Sequence, residues 1–202
     1  MGFCELHTRS AFSFLSSGSE PQRLAARAAE LGIKSVGLLD RDTFAGAVRF
    51  YFEAKEQGVR SIVGAEITLD DGTLLPLVAL DLKGYQNLSR LITTSKLRSK
   101  KGEHFATRRD IEYHSAGLMC FTGGPDGFIR DSIKRGDGQL DLAWLKYVFD
   151  DRLYIELQRH HIRREEAMNQ ALLGLAHKLR VDYFASNGVY YADENDRELF
   201  DV

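Results

Sequence analysis

Histidines, carboxylates and arginines recur along this chain just where short apolar runs end. His7 and Arg9 follow the first run, Asp40, Arg41 and Asp42 the second, and Glu66 lies in the third. Thr122, Gly123 and Gly124 follow a later run, His160 and His161 another, and Asn187, Gly188, Tyr190 and Tyr191 the last. Imidazole and carboxylate carry lone pairs that can bind a divalent ion or move a proton. Guanidinium carries five donors, no acceptor and a fixed charge, so an arginine at a ligand position repels an ion. Ser10, Ser13, Ser16 and Ser17 make no nucleophile, because no strained G-x-S-x-G turn surrounds them. Cys4 and Cys120 lie in apolar runs with no base beside them and read as reduced core residues.

Such residues become a site only if the fold gathers them. Strand-type runs alternate with helical periodicities, the pattern of a mostly parallel sheet covered by helices. Residues 3–6 form the first strand; Ser19 reads as an N-cap with Pro21 in the first turn, and Leu24, Ala25, Ala28, Ala29 and Leu31 keep helical spacing up to Gly32. Strands follow at 35–39 and 60–69, with a helix over 43–57 between them. An Asp-Asp-Gly turn at 70–72 predicts that 74–80 is a hairpin partner. Further helices are expected at 85–98, 128–134, 142–149 and 163–180, and strands at 117–121, 153–157 and 183–186. Residues 193–202 resemble a helix that has only begun, with Leu199 and Phe200 its first apolar positions. In parallel α/β folds functional groups collect at the C-terminal ends of strands, where these polar residues lie.

The bulk composition sets the outer bounds. With 202 residues, 44% of them hydrophobic, the chain can bury one substantial core, and a single domain over 1–202 is expected. A net charge of −2 excludes general polyelectrolyte attraction to nucleic acid, so DNA binding would need a local patch. Residues 90–109 hold seven Lys or Arg and one acid, Glu103. This stretch reads first as a solvated loop with Gly102 at its tip, and second as a phosphate-contacting loop through Arg98, Lys100, Lys101, Arg108 and Arg109. His104, His114 and His177 are expected to be solvated, and His161 to be a loop residue. With no 18-residue apolar run and no basic-then-apolar leader, neither a membrane span nor a secretory signal is expected, and a cytoplasmic location is.

The order of "ELHTRSAFSFL", "GLLDRDTFAGAVRF", "IVGAEI", "YIELQRH" and "FASNGVYYA" resembles the polymerase and histidinol phosphatase (PHP) domain of bacterial C-family DNA polymerase alpha subunits, nearest the error-prone branch. The resemblance implies an α/β, distorted TIM-like (β/α)7 barrel with up to three metal ions at the strand ends. It further implies ligands of the kind His-x-His, an acid, Asp-His, Glu, Cys or His, His, and Asp-x-His in chain order. His7, Glu66 and His160 keep that set; Arg9 and Arg41 stand at histidine positions, Ser16 at the acid, Gly124 at the cysteine, and Gly188 and Tyr190 at the closing Asp and His. The expectation is a site without catalytic residues or cofactor, in which Arg9 and Arg41 pair with Glu66, Asp40 or Asp42 as a salt-bridged plug while Tyr190 and Tyr191 fill space. In a variant of this reading the two arginines grip a phosphate or a nucleic-acid backbone.

The implied role is structural, within a longer DNA-directed DNA polymerase, with the remainder of that subunit as partner. Two rivals follow from the same residues. One is a phosphoesterase or 3′-5′ exonuclease holding zinc or manganese on His7, Glu66 and His160; the other is a DNA-binding module using the 90–109 stretch.

Overall fold

The computed structural model describes residues 3–100 and 102–197. Lys101, Leu199 and Phe200, named above, lie outside the described residues. The chain divides into two compact units, Met1–Glu66 with Gly188–Val202, and Ile67–Asn187. Seven strands follow one another in the sheet in chain order, β1 to β7.

In the first unit, β1 (Glu5–Thr8), β2 (Ser35–Arg41) and β3 (Arg60–Thr68) pair in parallel, with Val36 opposite Glu5 and Glu66 opposite Arg41. Helix α1 (Pro21–Glu30) connects the first pair and α2 (Ala47–Glu56) the second, as parallel strands require a crossover. Leu24, Ala25 and Ala28 of α1 pack on Val36 and Leu38 of β2 and on Phe50 and Ala54 of α2, with Val59 completing the cluster. At about 25 cal/mol per Å² of apolar surface removed from water, this layer is the main stabilising contribution of the unit. Two details differ from expectation. Glu20, not Ser19, is the N-cap of α1. The Ser19 hydroxyl instead donates to Asp196 (2.6 Å) and accepts from the backbone N–H of Ala192 (2.7 Å), tying the segment after β7 to the start of α1. Leu31 lies past the helix end and is exposed, because the chain turns there, with Ile33 N–H bonded to the Ala28 carbonyl.

In the second unit the Asp-Asp-Gly turn forms as expected: Leu69 N–H bonds the Thr73 carbonyl, and the Asp71 carboxylate accepts from Thr73 N–H at 3.0 Å. β4 (Leu74–Ala79) therefore follows β3 directly in the sheet. It runs antiparallel to β5 (Leu118–Phe121), whereas β5, β6 (Leu153–Gln158) and β7 (Asp182–Ser186) are parallel. The helices are α3 (Leu82–Arg98), α4 (Arg108–His114), α5 (Phe128–Arg135), α6 (Gly138–Phe149) and α7 (Arg163–Leu179).

Helix α4 begins where the charge run predicts basic loop. A capping box builds it: the Thr107 side chain accepts from Asp110 N–H, and the Asp110 carboxylate accepts from Thr107 N–H at 2.8 Å. The expectation of a solvated His114 fails with it. His114 closes α4 at 7% exposure, and burial holds its imidazole below the ordinary value. No helix among the described residues is long and apolar enough to cross a membrane.

Candidate functional site

Around the end of β1 the first unit gathers a buried charge cluster. His7 is 3% exposed, Arg9 6% and Glu66 1%. The His7 Nε2 nitrogen is 2.9 Å from Glu66 Oε1, and Arg9 Nη2 donates to the same oxygen at 2.7 Å. Arg9 Nε closes the fork onto Glu66 Oε2. The guanidinium also lies over the Tyr190 ring, 5.0 Å from its centroid, a cation–π contact in a desolvated place.

Backbone pairing sets this geometry. Arg9 N–H donates to the Val189 carbonyl and Val189 N–H to the His7 carbonyl, each at 2.9 Å, so the segment after β7 runs parallel beside the end of β1 and delivers Tyr190 to Arg9. The Ser17 hydroxyl adds a clasp, lying within hydrogen-bond distance of the carbonyls of both Arg9 and Tyr190.

The electrostatics follow from burial. Burial alone pushes the Glu66 carboxyl up, but the Arg9 charge, the His7 charge and their hydrogen bonds reverse that and bring it to about 2. The carboxylate thus stays ionised because a permanent cation is built against it.

Asp40 has a different solution. It accepts from Ser10 N–H (2.7 Å), Ser10 Oγ (2.8 Å) and Ser13 Oγ (2.7 Å). Burial raises its carboxyl against those three hydrogen bonds, and the neighbouring Glu66 charge adds to the rise. A Cβ on Gly46 would come within 2.8 Å of Asp40 Oδ2, so the cradle also depends on a missing side chain. The sequence dismissed these serines as nucleophiles and did not find them as donors; the Asp40 carboxylate ending an apolar strand was the available signal.

Arg41 stands at the end of β2 beside Asp42. Its side chain is 44% exposed, with Nε 4.0 Å from Asp42 Oδ2. Of the three acids expected to pair with the arginines, Asp42 is the one beside Arg41, while the Glu66 oxygens face His7 and Arg9 and Asp40 is held by serines. Ser16 is half-buried, with its hydroxyl 3.5 Å from the Phe14 carbonyl.

In the second unit His160 follows β6 and is 39% exposed at its side chain. Nδ1 contacts Glu165 Oε1 at 2.8 Å and Nε2 contacts the Asn187 carbonyl at 2.7 Å. Carboxylate and carbonyl oxygens only accept, so both ring nitrogens donate and the imidazolium is favoured. The hydrogen bond to Glu165 raises the His160 pKa against partial burial, with the Asn187 carbonyl assisting. An imidazolium has no lone pair for a metal. His161 is an exposed loop residue, as expected.

At Gly124 a Cβ would meet Gln158 Oε1 at 3.0 Å. The Gln158 amide donates to Glu156 Oε1 at 2.8 Å, and the Ser186 hydroxyl donates to that same oxygen. Asn169 Nδ2 donates to the Gln158 carbonyl at 2.9 Å, and Arg130 Nη2 to Asn169 Oδ1 at 3.4 Å. Arg130, Glu156, Gln158 and Asn169 are all buried. The sequence reading passed over this network, whose visible trace was Glu156 inside the apolar run of β6.

Two arginines of the basic stretch are engaged. Arg98 forks onto Asp110 at 2.6 and 2.7 Å, and its hydrogen bonds hold that carboxyl well below the usual carboxylate range. Arg108 donates to Asp141 at 2.5 Å and lies over the rings of Trp144 (4.7 Å) and Phe128 (5.3 Å). Lys100 and Arg109 are exposed. The Cys120 thiol is buried and pushed well up by that burial, so it is core rather than nucleophile.

Among the described residues no group of three or more His, Cys, Asp or Glu side chains is placed to hold a metal ion. In the first unit the donors present do not fit one. His7 and Glu66 face each other and share the space with a guanidinium, whose charge opposes an incoming cation.

A family model, that of the PHP domain, matches residues 5–160. The chain is 37% identical over 199 residues to an error-prone DNA polymerase of Pseudomonas aeruginosa, covering 98% of this chain and 18% of that protein. A second error-prone DNA polymerase, from Symbiobacterium thermophilum, is 33% identical, with 100% of this chain and 20% of that protein covered. The chain thus spans about a fifth of the relatives it matches. Among solved structures, a candidate metal-dependent phosphoesterase from Bifidobacterium adolescentis matches with a TM-score of 0.64 at 15% identity, over 97% of this chain and 94% of that one. An amidohydrolase from Chromobacterium violaceum, with bound sulfate and no metal, gives 0.62 at 15% identity, over 96% and 89%. With the strand order, these likenesses give the α/β, TIM-like fold class expected from the sequence.

Proposed function

The chain belongs to the PHP domain family, and from that premise we propose that it is a non-catalytic PHP module of an error-prone DNA polymerase alpha subunit, with a structural role in replication and translesion repair in the cytoplasm. Its 202 residues act as one domain of that polymerase. Polymerisation belongs to the rest of the polymerase, which is its partner. No cofactor takes part.

One observation carries this reading: the Arg9 guanidinium, desolvated, forked onto Glu66 and covered by Tyr190. The resemblance assigns ligand histidines to the positions of both Arg9 and Tyr190, and these two replacements touch each other. A lone arginine at a ligand position would leave a buried charge in need of partners. Here the carboxylate that a metal would use and a ring at a second ligand position supply them, so the substitutions support one another.

Elemental analysis together with hydrolysis of a generic phosphate ester tests the reading. The expected result is well under one zinc, manganese or iron per chain and no chelator-sensitive phosphate release after reconstitution with zinc or manganese. Stoichiometric metal with hydrolysis abolished by chelator overturns it in favour of a phosphoesterase.

A further inference from the structure

Helix α2 is apolar on two sides. Phe50 and Ala54 point into the core of the first unit and are fully buried. Val48, Tyr51 and Phe52, spaced i, i+3 and i+4, share an outer side and are 63%, 46% and 60% exposed. The rings of Tyr51 and Phe52 meet edge to face at 5.5 Å. The loop between β1 and α1 meets the helix at Arg49, which lies over the Phe12 ring at 5.6 Å, and two residues further along that loop Phe14 and Leu15 are 83% and 85% exposed. Leu15 also holds a left-handed backbone, φ 58°, a conformation unfavourable for a non-glycine residue.

The exposed aromatic residues of the second unit, Tyr85, Tyr113, Tyr147 and Tyr183, are all tyrosines, each with a polar hydroxyl at its tip. Phe14 and Phe52 have no such polar tip. Contiguous exposed apolar surface of this kind marks an interface, and aromatic side chains dominate interface cores.

We propose that the outer side of α2, with the Phe12–Leu15 loop, is the docking surface through which this module is held by the remaining chain of its own polymerase. The inference rests on the function proposed above. The occupant is argued from length: the chain makes up 18% of the P. aeruginosa polymerase and 20% of the S. thermophilum one, so most of a protein of that kind lies outside it. A surface on that larger part is always present at high effective concentration, which lets a modest apolar patch suffice. Val48, Tyr51 and Phe52 fill its apolar recesses.

The test is radical footprinting of the chain alone and of a full-length polymerase carrying it, made by exchanging the 199 matched residues of the P. aeruginosa enzyme for this chain. Labelling of Tyr51, Phe52 and Phe14 is expected to fall about tenfold in the polymerase while Tyr113 and Tyr147 keep theirs. Phe52→Glu should restore labelling of Tyr51 and speed proteolytic release of the module about tenfold, whereas Tyr147→Glu should do neither. Both substitutions replace exposed side chains, so both variants fold. Unchanged labelling at α2 with protection elsewhere on the chain overturns this surface but leaves the structural role standing. No protection anywhere overturns the structural role as well. Protection of α2 already in the chain alone, with a dimer mass in sedimentation, assigns the face to a second copy and overturns the proposal.

Discussion

Two histidine–carboxylate contacts of nearly equal length sit in different parts of this molecule. His7 meets Glu66 at 2.9 Å with both side chains almost wholly buried, and His160 meets Glu165 at 2.8 Å with the imidazole 39% exposed. Distance does not separate them; solvent does. In the first, each charge has lost its water and must be satisfied by protein, which explains the third member, Arg9, and the ring of Tyr190 over it. In the second, the imidazole keeps water, which screens it and remains available when its partner is lost. The same residue types therefore serve as a structural keystone in one unit and as a dispensable tie in the other.

The widest gap between the two should come from removing the carboxylates. Glu66→Ala removes the carboxylate that the buried Arg9 and His7 both face, a loss of about 3–5 kcal/mol. For a chain of this size that lowers the melting temperature by about 10 °C or more. Glu165→Ala should cost less than about 1 kcal/mol. Equal shifts in calorimetry would show that burial is not the deciding variable. Replacing all three of the buried set together, as His7→Leu, Arg9→Met and Glu66→Leu, should recover most of the loss, because no charge is then stranded.

The pH dependence sharpens the contrast, since the two contacts run with opposite sign. The Glu66 carboxyl is held at about 2 against an ordinary 4.5, so its contribution is fully present above pH 4.5 and is lost as pH falls toward 2. A shift of that size corresponds to about 3 kcal/mol. The His160 pKa is raised, so its contribution is present below the ordinary 6.5 and disappears as pH rises through the raised value, with an amplitude kept small by exposure. Arg9→Ala should move the acid-unfolding midpoint upward, because burial then pushes the Glu66 carboxyl up with less opposing it. A midpoint unmoved in Arg9→Ala would show that His7 alone sustains the ionised carboxylate.

Much of this was legible in the sequence, for identifiable reasons. The strands, the Asp70–Gly72 turn and the long α7 are written in local pattern, and local pattern survives folding. His7, Arg9 and Glu66 could be brought together on paper because strand ends in a parallel sheet converge. Partner choice was not legible. Nothing in "LLDRD" says that Asp40 turns to Ser10 and Ser13 and that Arg41 lies beside Asp42; that follows from which oxygens are already engaged, a three-dimensional fact. The capping box of α4 was visible at Thr107 and Asp110 but was masked by the charge run around it. The network of Arg130, Glu156, Gln158 and Asn169 joins residues far apart in sequence, and only Glu156 in an apolar strand hinted at it.

The smallest effect expected is at His160, and it is the most useful control. His160→Ala removes one exposed ion pair and one bond to the Asn187 carbonyl, which water can replace. Stability at pH 6 should fall by less than about 1 kcal/mol, and the small loss should vanish as pH rises through the raised His160 pKa, above which the imidazole is neutral and the ion pair no longer exists. High salt at pH 6 should remove it too, whereas the Glu66→Ala loss should persist in salt, because counter-ions do not reach a side chain with 1% exposure. A His160→Ala loss as large as that of Glu66→Ala, insensitive to salt, would mean that this histidine belongs to a second structural centre and that exposure is a poor guide to what an ionised contact is worth in this fold.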